Sequence, residues 1–460
     1  SKSKGNIING VNILTDHPVD VIRFYINWKS SPIDSLSFSI EEMNSRPYQV
    51  LGTLYHLHVF TQLNSSYDEF NPIEHTIEWS NKLGLLETQE LWLLSKIQTL
   101  IYDISHAYNR CKFHEAARSL EKFIIETLSQ IYIPIIRGEI WDDHPKNKNL
   151  RLSKYAILHH TLRTIDILLH PISPYLSEYL YRIFSNTTNR ISEPILLEKW
   201  PEINDDLVNE SVERGMDILQ TIISLVNSTR MKAKLKRRWP LGKLFIYTGA
   251  KGSEGVNENL ELLKNQVNVK DIILKSNLKD LPLTLSTKFN LNNYAATLKE
   301  KTPIISQKLY SKNTEETYHN IITKGEVECQ IDGKKLEFSR NEIEFIVEGN
   351  DGYVASEKEG YIVAIETNRN NELVAEGFAR DLARRMQSLR KNRGYDPTEI
   401  LGTAYSSGLN NEMLNLLKSK IDDLKYFVRV RNIDLMNEPR AGINWSEDEI
   451  DGVKIKISVE

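Results

Sequence analysis

The sequence predicts an α+β multidomain protein, an antiparallel α-helical bundle followed by a smaller α+β carboxy-terminal domain. Three observations carry that reading. Apolar residues recur at helical spacing through the first half of the chain, and short strand-forming runs between loops rich in Gly, Asn and Ser replace them after residue 240. At roughly 150 residues per domain, 460 residues are enough for about three domains with real cores.

Residues 1–38 form an opening segment. Its helix, around Arg23-Phe24-Tyr25, ends at Ser30-Ser31-Pro32, because Pro32 disfavours helix in the residue before it. Residues 39–240 read as the bundle. Tyr155, Leu158, Leu162, Ile165 and Leu169 share one helical face, and Pro171 and Pro174 close that helix. Further helices read around Tyr48 to Leu63, Glu90 to Asn109, Phe113 to Tyr132 and Ser211 to Thr229; long amphipathic helices with short connections pack antiparallel.

Residues 241–370 read as an α+β junction domain. Its strands are expected at Leu244-Phe245-Ile246-Tyr247, Ile272-Ile273-Leu274, Glu326-Val327-Glu328-Cys329 and Tyr361-Ile362-Val363-Ala364-Ile365, with turns at Asp332-Gly333 and Asn350-Asp351-Gly352. Residues 371–460 form a last α+β segment. Leu373 to Lys391 is a helix with Phe378, Leu382, Met386 and Leu389 on one face, and Val453-Lys454-Ile455-Lys456-Ile457 is a strand. No internal repeat is visible.

Composition narrows the function classes. The chain is 40% hydrophobic and 26% charged with a formal net charge of -4, so only local charge can argue for a nucleic-acid partner. Cys111 and Cys329 lie far apart with no Cys-x-x-Cys and no His at zinc-site spacing, so no zinc site and no metal-ligating residue is expected in this chain, and a reduced, cytoplasmic chain is. No apolar run approaches the ~18 residues of a membrane span, and no signal peptide is visible.

Two basic clusters stand out. The first is Arg230, Lys232, Lys234, Lys236, Arg237 and Arg238, followed by Trp239. The second lies on the late helix and just beyond it: Arg380, Arg384, Arg385, Arg390, Lys391 and Arg393. Clustered cations release counterions from a phosphate backbone, and Trp or guanidinium planes can stack unpaired bases, so these residues are candidate RNA contacts. The pairs Asp142-Asp143, Asp422-Asp423 and His159-His160 read as structural, since adjacent acids on turns cap or face water and the histidines flank an apolar face.

The first residues, Ser1-Lys2-Ser3-Lys4-Gly5-Asn6, read as a phosphate-handling loop entered partway through, without an initiator Met. Glycine permits close backbone approach and the ammonium groups can meet anionic oxygens. With Ile7 and the later Asp20 to Tyr25, this stretch resembles the KMSKS loop of class I aminoacyl-tRNA synthetases. The motif's second Lys matches Lys2, and its first residues would precede residue 1. Glu90 to Lys96, Leu128 to Tyr132 with Ile136-Arg137, His170 to Pro174 with Ser177-Glu178, and Lys199-Trp200-Pro201 resemble, in order, the anticodon-binding bundle of class Ia synthetases. Leu373 to Lys391, Gly394 to Ile400 and Arg238-Trp239-Pro240-Leu241 resemble isoleucyl-tRNA synthetases in particular.

The resemblance runs over nearly the whole chain, weakest between 249 and 320. The valyl coiled coil and the bacterial Cys-rich zinc module have no counterpart here, which points to the archaeal and eukaryotic-like type. It implies the carboxy-terminal part of an isoleucine-tRNA ligase: Lys2 catalytic, Ser1, Lys2 and Ser3 binding ATP with Mg, and isoleucine tRNA held at its anticodon arm. No His-x-Gly-His element is found, so the chain alone is expected to be an inactive monomer, using isoleucine and ATP only with its other half. The alternatives are a non-catalytic tRNA-binding module and the same part of a valyl or leucyl enzyme.

Overall fold

The computed structural model describes residues 10–142, 144–185, 193–249, 253–289, 307, 313–331, 334–396 and 399–460. The opening loop, with Ser1, Lys2 and Ser3, lies outside the described residues. The chain divides into two compact units, Ser1–Met216 and Asp217–Glu460.

The first unit is helical: α1 (Gly10–Asp16), α2 (Val19–Lys29), α3 (Ile40–Tyr67), α4 (Ile77–Lys82), α5 (Thr88–Asn109), α6 (Phe113–Lys122), α7 (Ile133–Ile140), α8 (Lys148–Leu169) and α9 (Pro174–Ser185). A π-helical stretch, Phe123–Tyr132, joins α6 to α7. Helix α8 is the axis of the bundle. Its expected apolar face is buried, and so are Arg151, Lys154 and Asp166 on its other sides. A helix surrounded in this way must pair its polar groups internally. Lys154 Nζ meets Glu90 at 2.8 Å, Glu87 at 3.0 Å and Glu139 at 3.1 Å. Arg151 grips Asp68 with two bonds of 2.6 and 2.7 Å, and the Tyr155 hydroxyl donates to the same carboxylate.

Two segments singled out in the sequence come together here. Arg23 of α2 donates to the carbonyls of Ile172 and Pro171 at 2.7 and 3.0 Å, and buried Ser173 donates to the Asp20 carbonyl. The His170 to Pro174 turn is therefore built to dock α2. Trp92 is core at 2% exposed, whereas Trp200 is 38% exposed and donates to Ser105.

The second unit follows from within α10 (Glu210–Lys232): β1 (Leu241–Tyr247), α11 (Glu254–Asn257), α12 (Leu260–Val267), β2 (Val269–Lys275), β3 (Leu283–Phe289), α13 (Thr314–Lys324), β4 (Glu326–Ile331), β5 (Lys334–Ser339), β6 (Ile343–Gly349), β7 (Tyr353–Lys358), β8 (Tyr361–Glu366), α14 (Asn371–Asn392), β9 (Leu401–Ser407), α15 (Asn411–Lys418), α16 (Ile421–Val428), β10 (Val430–Leu435), β11 (Ser446–Ile450) and β12 (Val453–Val459). The expected turn at Asn350 to Gly352 is formed, with Gly352 at φ +81°; Asp332-Gly333 lies outside the described residues.

Contrary to the sequence reading, this unit contains an internal repeat. One four-stranded sheet has the order β2-β1-β8-β7 and the other β10-β9-β12-β11. In each, the first strand pairs in parallel with the strand after two helices, and a closing hairpin adds antiparallel. Each is preceded by a long helix, α10 or α14. The hairpin turns match too, Glu359-Gly360 and Asp451-Gly452 all having positive φ. In sequence few identities survive: Ser228 and Arg230 against Ser388 and Arg390, Leu241-Gly242 against Leu401-Gly402, Leu263, Lys264 and Val267 against Leu424, Lys425 and Val428, and Val269, Ile272 and Leu274 against Val430, Ile433 and Leu435. The first module is interrupted between β2 and β7 by β3 to β6 and α13, whose Tyr318, Phe338 and Phe345 share one core with Tyr247, Ala355, Ile362 and Ala364 of the module's sheet.

Candidate nucleic-acid interface

The repeat explains two of the candidate cations. Arg230, near the end of α10, donates to the carbonyls of Lys236 (3.3 Å), Trp239 (2.9 Å), Val267 (2.7 Å) and Asn268 (2.8 Å). Arg390, near the end of α14, donates to those of Asp396 (3.0 Å), Glu399 (2.6 Å), Val428 (2.8 Å) and Arg429 (2.8 Å). In both modules one guanidinium binds the loop after its helix and the left-handed cap of the last helix before the parallel strand, Asn268 at φ +52° and Arg429 at φ +57°. A planar five-donor fork suits this role, and a Lys could not span it. Burial pulls both groups down, Arg230 to about 10, still cationic at neutral pH.

Arg230 and Arg390 are therefore corrected from candidate RNA contacts to structural clamps, since each is at most 2% exposed. Trp239 is corrected likewise. It is 2% exposed, donates to Asp381 at 2.9 Å and lies under the Arg369 guanidinium, whose carbon is 4.5 Å from the ring centroid. Gly377 makes room for it: a Cβ there would lie 2.5 Å from the indole.

The other candidates remain accessible to different degrees. Lys234, Arg237, Arg384 and Lys391 are exposed, with no side-chain partner among the described residues. Lys232 donates to the carbonyls of Ala355 and Val347, and Lys236 faces Asp451 at 3.5 Å. Arg385 pairs with Asp448, and Arg393 is half-buried on Ser458, Val459 and Asn444.

The structure brings the two clusters together in one place. An open groove of about 560 Å³ is lined by Arg237, Arg238, Lys264, Lys270 and Arg380, with Glu261 the carboxylate in its wall. Asp381 (3.3 Å from Arg238) and Glu376 (2.6 Å from Lys270, 2.7 Å from Arg380) hold three of the cations in place from behind. Five cations against these three carboxylates leave the groove positive, the field a phosphate chain needs. Sequence reasoning missed Lys264 and Lys270. They belong to α12 and β2, isolated in sequence and visible only once the parallel β1–β2 pair places them beside Arg237.

The remaining candidates are structural in their surroundings, except Asp143, which lies outside the described residues. His159 is enclosed by Phe70 and Phe184, and desolvation pulls its ring down to about 3; His160 moves the same way. Asp142 accepts from the His144 amide and the Asn147 side chain. Asp422 is 98% exposed beside Lys425. The acid triplet Glu326, Glu328 and Glu337 is exposed on the β4–β5 ribbon and contains no sulfur or imidazole ligand of the kind zinc prefers. No helix among the described residues is long and apolar enough to cross a membrane.

Residues 90–245 match the family described as the anticodon-binding domain of tRNA ligase. This stretch of the chain is thus similar to that domain. The curated relatives it resembles are isoleucine-tRNA ligases. It is 29% identical to the isoleucine-tRNA ligase of Pyrococcus furiosus over all of this chain and 41% of that protein, and 28% identical to that of Methanopyrus kandleri over 85% of this chain and 35% of that protein. The isoleucine-tRNA ligase of Clostridium novyi is 27% identical, again over the full chain. The chain is homologous to isoleucine-tRNA ligases along its whole length and spans about two fifths of theirs. Among solved structures, the ternary complex of Agrobacterium radiobacter K84 agnB2 LeuRS with tRNA and LeuAMS matches 45% of this chain and 22% of that one, at 17% identity and a TM-score of 0.33.

Proposed function

We propose that this chain is the tRNA-gripping, carboxy-terminal part of an isoleucine-tRNA ligase, holding the anticodon arm of isoleucine tRNA while the rest of the protein activates isoleucine with ATP and Mg. The bundle, read as residues 39–240, and the two modules share that task. Ser1, Lys2 and Ser3 complete the ATP site, and Lys2 stabilises the pyrophosphate leaving group. The protein works in the cytoplasm as a monomer.

The observation that carries this reading is the groove formed by Arg237, Arg238, Lys264, Lys270 and Arg380, behind a stretch that matches an anticodon-binding domain. Binding of the chain to isoleucine tRNA, and to the same tRNA with a valine anticodon, at two salt concentrations tests it. Binding should weaken with salt, and the swap should cost roughly 1–3 kcal/mol for each base that is no longer read. No binding to either tRNA would sink the proposal. Equal binding would reduce it to a phosphate-gripping surface and favour the non-catalytic tRNA-binding module.

A further inference from the structure

The repeat allows the groove of the first module to be carried onto the second. Helices α12 and α16 both end at a left-handed cap, Asn268 and Arg429, followed by an edge strand. Counting from the caps, Lys264 corresponds to Lys425 and Lys270 to Arg431. The neutral groove residues Asn265 and Gln266 correspond to Tyr426 and Phe427. Those two aromatics are 48% and 47% exposed, with ring centroids 5.7 Å apart and edge to face. A fold that places Asn and Gln at this corner in one copy does not need aromatic rings there in the other.

The surroundings select the occupant. Gln387 of α14 donates to the Phe427 carbonyl. Arg380, Arg384, Gln387 and Lys391 recur at intervals of three and four, so they share one face of α14. That face starts in the basic groove, which Arg380 lines, meets the Phe427 backbone at Gln387 and ends at Lys391, a run of roughly 16 Å at 1.5 Å per residue. In sequence Lys425 precedes the rings and exposed Arg431 follows them, with Asp422 the acid beside Lys425. Exposed cations, of which Arg384, Lys391 and Arg431 have no side-chain partner among the described residues, run from a phosphate-sized groove to exposed rings; this matches the way unpaired nucleic acid is held, by backbone charge plus base stacking.

We propose that Tyr426 and Phe427 form a base-stacking site for a single-stranded segment of RNA whose backbone runs along the Arg380–Lys391 face of α14 from the groove of the first module. The inference rests on the tRNA-binding reading above and adds to it a division of labour: phosphates at the first module, an unstacked base at the second.

The test is binding of isoleucine tRNA to the 460-residue chain at several salt concentrations, comparing wild type with Tyr426→Ala/Phe427→Ala and with Arg237→Ala/Lys264→Ala. The aromatic double variant should bind roughly 5- to 100-fold more weakly with an unchanged salt slope. The cation double variant should have a shallower slope, by about 0.7–0.9 for each phosphate it no longer neutralises. Tyr426, Phe427 and Arg237 are exposed and the partly exposed Lys264 pairs only with the surface carboxylate of Glu261, so thermal melts should stay close to wild type, and Tyr426→Phe/Phe427→Tyr should retain binding. Wild-type affinity in the aromatic double variant would overturn the stacking site, leave tRNA binding standing and assign the rings to a protein surface. Loss of binding in the conservative variant would also overturn it. Absence of wild-type binding would sink the tRNA reading itself.

Discussion

The two repeat modules share a framework and differ in what they show to solvent. Both are clamped by one buried arginine on four carbonyls, Arg230 in the first and Arg390 in the second. At the corner beside the clamp, the first presents Asn265 and Gln266 in a cationic groove and the second presents Tyr426 and Phe427. What two copies keep identifies the fold, and what they change identifies the use. The same logic separates the arginines of one basic run. Arg230 is held by carbonyls of its own module and is part of the structure, while Arg237 leans into open solvent and can serve a ligand.

The largest test of the shared framework is removal of the clamps. Arg230→Leu and Arg390→Leu each strip four buried or half-buried carbonyls of a charged donor, and each should cost about 3–5 kcal/mol of stability. Urea unfolding with hydrogen exchange resolved to each module checks it. The losses should be similar and each should fall in its own module. A loss confined to one of the two would break the equivalence.

Acid should separate the modules from the bundle. His159 is held neutral by burial, its ring pulled from the ordinary 6.5 to about 3, with the Arg163 guanidinium adding positive charge nearby. The native state therefore binds fewer protons than the unfolded chain between those values, so this stability is intact above pH 6.5 and is lost as pH falls toward 3. The effect amounts to roughly 2–4 kcal/mol across the window. Within residues 217–460 the one histidine is His319, which is exposed. Hydrogen exchange at stepwise lower pH should show the bundle loosening before the modules, and His159→Leu should flatten that dependence. Simultaneous loosening of both units at pH 5–6 would contradict it.

Gly377→Ala is a smaller perturbation, at the point where Trp239 of the first module's loop packs on α14. Its Cβ would sit 2.5 Å from the Trp239 ring, which is fixed through Asp381 and Arg369. Overpacking of this kind costs about 1–3 kcal/mol. Thermal melting of the variant checks it, and a gain in stability, as expected for an unobstructed helical Gly→Ala change, would show that Trp239 can yield.

Much of the fold was legible in the residues. Period-four apolar spacing located α8 and α14, and Lys454 and Lys456 alternating with Ile455 and Ile457 located β12, because one-sided burial writes itself into sequence. The repeat was not legible, since it needs only a few matching positions around each clamp. Nor could sequence separate Arg230 from Arg237. Burial of a guanidinium depends on carbonyls 37 and 38 residues away, and nothing local announces them. The groove escaped for the same reason: Lys264 and Lys270 acquire meaning only from the crossover that brings β2 alongside β1.

The smallest expected effect on stability is also the sharpest test of the division between framework and surface. Arg384 lies on the same helix as Arg390, is exposed, and has no side-chain partner among the described residues. Arg384→Ala should therefore change stability by no more than about 0.5 kcal/mol, as for surface positions generally. If α14 carries an RNA backbone from the groove toward Tyr426, the same substitution should lower the salt slope of tRNA binding by about 0.7–0.9, the contribution of a single neutralised phosphate. Melting and salt-dependent binding of this variant read the two quantities separately. A stability loss would mean that Arg384 belongs to the framework, and an unchanged slope would mean that the strand does not follow this face of α14.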